Sequence, residues 1–126
     1  MPHALIIDDN RNNIDVLTML LEREGVSQTA VQNARQISKT LDQIDKVDVV
    51  FLDLEFPYGD GFQVLKTVKA LPEFADVPVI AYTVHTSEID EVRRAGFDGF
   101  LGKPLDSRRF SGQIKRILDG VPVWDI

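Results

Sequence analysis

Five side chains in this sequence could act together on a charged group: Asp8, Asp9, Asp53, Thr83 and Lys103. Each ends or follows a short apolar run. Ala4-Leu5-Ile6-Ile7 leads into Asp8-Asp9, and Val49-Val50-Phe51-Leu52 into Asp53. Val79-Ile80-Ala81-Tyr82 leads into Thr83, and Gly99-Phe100-Leu101-Gly102 into Lys103. If the runs are adjacent parallel strands, their carboxyl ends open on one rim, where ligands of open α/β sheets bind. Three carboxylates gathered there repel by roughly 1 kcal/mol per pair in water, and by about 4 at an effective dielectric of about 20. A cation relieves this, and an all-oxygen set with room for water suits Mg²⁺ or Mn²⁺. A divalent ion, an ammonium, a hydroxyl and a carboxylate nucleophile are the parts needed to move a phosphoryl group onto Asp53.

The elements that must position these groups follow from periodicity. Four unbroken apolar residues before Asp53 read as a strand buried on both faces, the habit of a parallel sheet covered by helices. Between Arg11 and Glu24, Ile14, Leu17 and Leu21 fall on one helical stripe, and Gly25 stops it. Ser27 to Val31 reads as a weaker strand. Asn33 and Gln36 resemble a capping pair for a helix carrying Ile37, Leu41 and Ile44. A third helix carries Val64, Leu65, Val68 and Leu71 and ends at Pro72. Ser87 and Asp90 are placed to cap a fourth, and Asp106 or Ser107 a fifth, with Phe110, Ile114, Ile117 and Leu118 on its buried face. Five strands alternating with five helices predict a doubly wound, five-stranded parallel sheet.

Bulk properties narrow the function classes. A chain of 126 residues is enough for one core. A net charge of −6, without a basic stripe, disfavours nucleic acid. No apolar run approaches membrane-span length, and no signal-peptide pattern opens the sequence. The absence of cysteine excludes disulfides and thiolate metal sites. A cytoplasmic location is expected.

The acidic pair Asp8-Asp9, the Asp53 loop closing on Pro57 and Asp60-Gly61, then Thr83 and Lys103-Pro104, occur in order at the ends of the appropriate strands. In this the chain resembles the receiver domain of two-component response regulators, over roughly nine-tenths of its length and in a stand-alone, chemotaxis-regulator-like form. The resemblance implies a flavodoxin-like fold with strand order 2-1-3-4-5. It makes Asp53 the phosphoacceptor, fed by a sensor histidine kinase or a histidine phosphotransfer protein. It implies that Asp9 and Asp53 bind Mg²⁺ directly, that Asp8 does so largely through water, and that the Glu55 backbone carbonyl completes the set. Thr83 and Lys103 would hold phosphoryl oxygens. Thr83 and Phe100 would form the switch, Phe100 turning inward, although an aromatic in so short a strand is also ordinary core. The Lys103-Pro104 bond is expected to be cis. Output would pass from the helix-four, strand-five, helix-five face to a downstream protein, the chain being a monomer or weak homodimer. Residues 1–120 would form the domain and 121–126 a short apolar tail with no output domain, its residues packed on the domain or a partner, or frayed.

Some positions depart from that pattern. Glu55 adds an acid at the mouth of the site and Val84 stands where a small residue is usual; both, together with His85 at its family position two after Thr83, are expected to modulate rates. A shortened stretch from Thr83 to Gly96 leaves helix four with about two turns. Two rivals stand beside this reading. A receiver-like scaffold acting without phosphorylation would bind partners regardless of Asp53. A haloacid-dehalogenase-type phosphatase would turn over phosphate monoesters, but Glu55 replaces its usual Asp and the motif lies on the wrong strand.

Overall fold

The computed structural model describes residues 1–44, 46–54 and 61–125. The strands are β1 (His3–Ile7), β2 (Ser27–Val31), β3 (Val49–Asp53), β4 (Val79–Thr83), β5 (Gly99–Gly102) and β6 (Trp124–Asp125). The helices are α1 (Arg11–Arg23), α2 (Ile37–Leu41), α3 (Gly61–Lys69), α4 (Ile89–Ala95) and α5 (Ser107–Leu118). The sheet order is β2-β1-β3-β4-β5-β6, parallel throughout. The expected order 2-1-3-4-5 is present, with a sixth strand added at the β5 edge.

Alternation along the strands feeds two apolar layers. Ala4, Ile6, Val49, Phe51 and Ile80 pack with Leu17 and Leu21 of α1 and with Phe110, Ile114 and Ile117 of α5. Leu5, Ile7, Val50, Leu52 and Ala81 face the other way, onto Ile37 of α2, Val64, Leu65 and Val68 of α3, and Val92 of α4. Neither face of the central strands meets water, which is why they are unbroken apolar runs.

Local chemistry sets the helix ends. Asn10 caps α1, its side chain accepting from Asn13 N–H, and Asp106 caps α5 by accepting from Arg108 N–H at 2.8 Å. The capping pair expected at Asn33 and Gln36 does not form. Asn33 instead accepts from Arg35 N–H, two residues on, at 2.9 Å. This turn opens the 3-10 segment Ala34–Gln36, and α2 spans only Ile37–Leu41. Nor do Ser87 or Asp90 cap α4, whose first turn grows from the 3-10 segment Thr86–Glu88 without a side-chain cap. The helix is as short as expected, and Gly96 ends it at φ 104°, a left-handed conformation that favours glycine.

The segment after Gly120 joins the sheet. Val123 is buried and its carbonyl accepts from Phe100 N–H at 2.7 Å. The Asp125 carboxylate receives Gln113 Nε2 at 2.8 Å and pairs with Arg109 at 3.3 Å and Arg116 at 3.5 Å. The Arg93 guanidinium lies 4.4 Å over the Trp124 ring. A Cβ on Gly99 would stand 2.8 Å from both the Val123 carbonyl oxygen and Ile80 Cδ1. Gly99→Ala is therefore expected to cost about 1–3 kcal/mol and to displace β6. Faster exchange of the Phe100 amide, with a shift in Trp124 emission, is the measurement; unchanged exchange would contradict the packing.

At the opposite edge, the His3 ring bridges β1 to β2 through Ser27 Oγ and Thr29 Oγ1, each at 2.7 Å. Burial holds the imidazole below the ordinary value of 6.5, against an opposing pull from Asp48. The unfolded chain therefore takes up this proton more readily than the folded one, and stability falls as pH drops below 6.5 toward the folded value. His3→Gln should flatten that part of the melting-temperature profile between about pH 7.5 and pH 5.5.

Candidate functional site

The carboxyl ends of β1 and β3 flank the point where strand order reverses, so the residues leaving them border a crevice. Pairing of Ile7 with Leu52, Asp53 with Tyr82 and Thr83 with Gly102 sets the four strand ends level. Asp8, Asp9, Asp53, Thr83 and Lys103 thus reach one rim from four strands.

Asp8 is 0% and Asp53 2% exposed, whereas Asp9 faces solvent. One carboxylate oxygen from each lies within 4.8 Å of the others. Lys103, with a 9% exposed side chain, places Nζ 3.3 Å from Asp53 Oδ1 and 3.6 Å from Asp8 Oδ2. Among the described residues Nζ is buried without a hydrogen-bond acceptor. The donor set fits a divalent cation. It is oxygen-only, two of its carboxylates are shut away from water, and its three negative charges exceed the Lys103 ammonium by two.

The remaining predicted residues sit around this cluster. Thr83 is buried, its Oγ1 accepting from His85 N–H at 3.1 Å, and its carbonyl accepts from Lys103 N–H at 2.9 Å. The Lys103-Pro104 bond is cis. Val84 and His85 are exposed, and Val84 borders a groove of about 270 Å³ shared with Asn13, Val16, Lys103 and Pro104. Phe100 has no exposed surface and packs in the cluster containing Val92 and Phe97. It is thus already seated inside. Glu55, Pro57 and Asp60 lie outside the described residues, so the expected backbone ligand at Glu55 does too.

One neighbour escaped the sequence reading. Tyr82 is buried and its hydroxyl donates to Asp8 Oδ2 at 2.5 Å, while Lys103 Nζ lies 4.3 Å over its ring. Burial first, and the adjoining Asp8 charge second, push its phenol well above the ordinary tyrosine range, so it stays a donor. The signal was present in the sequence: a tyrosine within an apolar strand needs a partner for its hydroxyl.

A family model described as the response regulator receiver domain matches residues 4–115. This chain belongs to that family. Its receiver fold also superposes on the chemotaxis protein CheY4 of Vibrio cholerae with a TM-score of 0.82 at 21% identity, covering 93% of this chain and 98% of that one. The signal receiver domain of a DNA-binding response regulator from Colwellia psychrerythraea 34H gives 0.80 at 28% identity, covering 94% and 99%. The transcriptional regulatory protein CpxR of Escherichia coli K12 is 34% identical over 120 residues, which is 94% of this chain and 50% of that protein. The chain spans about half the length of the curated relatives it matches first. Receiver domains are phosphoacceptor signalling domains that use Mg²⁺ at an acidic pocket, and the Asp8-Asp9-Asp53 cluster of this one could hold such an ion. Among the described residues no helix is long and apolar enough to cross a membrane.

Proposed function

We propose that the chain takes a phosphoryl group onto Asp53 from a histidine kinase or histidine phosphotransfer protein and signals to a protein partner. An Asp53 carboxylate oxygen attacks phosphorus while the bond to the donor's imidazole nitrogen breaks, leaving an acyl phosphate that water later hydrolyses. Asp8, Asp9 and Asp53 would hold the divalent cation, Mg²⁺ or Mn²⁺. When bound, that ion neutralises charge on the phosphoryl oxygens. The Lys103 ammonium does the same from the protein side, where its low exposure strengthens it.

The switch begins at Thr83, whose hydroxyl leaves its bond from His85 N–H to donate to the phosphoryl group. Phe100, buried in β5, is the second member of this switch, and the change passes through it to α4, α5 and the adjoining β6. Val84 and His85, exposed beside the site, are placed to influence how fast water arrives.

The observation that carries this reading is the buried Lys103 ammonium aimed at Asp53 within a cluster of excess negative charge. Incubation with acetyl phosphate should add one phosphoryl group by intact mass, only with Mg²⁺ or Mn²⁺ present. Uptake that persists in excess chelator contradicts the reading.

A further inference from the structure

We propose that Tyr82 sets the affinity of the acidic cluster for its divalent ion by drawing charge from Asp8. The proposal rests on the assignment of that cluster as the metal site and concerns the strength of its binding. Asp8 is held at both oxygens. Oδ1 accepts from Asn10 N–H at 2.8 Å, and Oδ2 accepts from the Tyr82 hydroxyl at 2.5 Å with Lys103 Nζ at 3.6 Å. A bond this short between a hydroxyl and a carboxylate is of the charge-assisted kind. It occupies a lone pair that a cation, or water bound to one, would otherwise engage. Both Tyr82 and Asp8 are buried, so bulk water cannot take over the hydroxyl's role.

Removing the hydroxyl has two opposed consequences: Asp8 regains charge, and it loses a tether. The first dominates, because Asn10 N–H still fixes the carboxylate from the other oxygen and Lys103 still faces it. Tyr82→Phe keeps the ring under the Lys103 ammonium and so isolates the hydroxyl. Tyr82 is thus a positioning residue whose hydroxyl partly substitutes for the cation when none is bound.

Calorimetric titration with Mg²⁺ tests this. Tyr82→Phe should bind Mg²⁺ about 3- to 10-fold more tightly than the wild type, a fraction of the roughly 10- to 100-fold that one bond to a charged group is worth, because Asn10 N–H and Lys103 still hold Asp8. Without metal it should melt at a lower temperature than the wild type, and saturating Mg²⁺ should raise its melting point by more. Against an Asp8→Asn background the effect on Mg²⁺ affinity should vanish, a coupling that a general packing defect does not produce. Unchanged or weaker Mg²⁺ binding by a folded Tyr82→Phe, or an effect that persists with Asp8→Asn, overturns the proposal. Failure of the wild type to bind Mg²⁺ at all removes the metal site and the proposal together, so the two failures are distinct.

Discussion

Asp53→Asn is expected to take up no phosphoryl group from acetyl phosphate under conditions that modify the wild type. The carboxamide lacks the anionic oxygen that must attack phosphorus, and among the described residues no neighbouring acid can replace it without moving. Asp8 is pinned by Asn10 N–H and the Tyr82 hydroxyl, and Asp9 lies on the solvent side. Intact-mass measurement reads this directly. The metal-free variant should melt no lower than the wild type, because Lys103 then neutralises Asp8 without a second buried carboxylate. That second readout separates lost chemistry from a lost fold. Wild-type-like uptake by this variant would remove Asp53 from the role assigned to it.

Lys103→Met carries the largest expected effect on stability. The ammonium lies between the buried carboxylates of Asp8 and Asp53. Deleting one partner of a buried ion pair typically costs about 3–5 kcal/mol, because the remaining charge is left uncompensated. For a chain of 126 residues this corresponds to a loss of about 10 °C or more in melting temperature. Mg²⁺ at the cluster should recover part of the loss, since it supplies the missing positive charge. Thermal melts with and without Mg²⁺ measure both. An equal loss in the two conditions would mean that Lys103 acts only through packing of its stem. Phosphoryl uptake should also slow sharply, as the variant lacks the protein's own counter-charge at the transferred group.

The site was largely legible in the sequence because each of its side chains ends or follows a strand. The acids and the lysine break apolar runs that have no other reason to stop, and a parallel sheet brings such breaks together. Tyr82 was half legible: a hydroxyl inside an apolar strand announces that it needs a partner, and the three-dimensional register identifies that partner as Asp8. The sixth strand was hidden for a different reason. Val121-Pro122-Val123-Trp124-Asp125 has little strand character alone and extends the sheet because β5 offers an open edge while Gln113, Arg109, Arg116 and Arg93 hold its side chains. These partners are distant enough in sequence that periodicity does not register them. At α2 the competing signal was local: Asn33 closes onto Arg35 N–H, two residues on, so a polar residue read as a helix cap instead starts a tighter turn.

Borohydride trapping gives the most direct measurement of whether the cluster exists to load phosphorus on one acid. Reduction of an aspartyl phosphate converts that aspartate to homoserine, which peptide mass spectrometry locates. After incubation with Mg²⁺ and acetyl phosphate, homoserine should appear at position 53 and vanish when Mg²⁺ is chelated. Homoserine at position 8 or 9 instead, or none anywhere, would contradict the account.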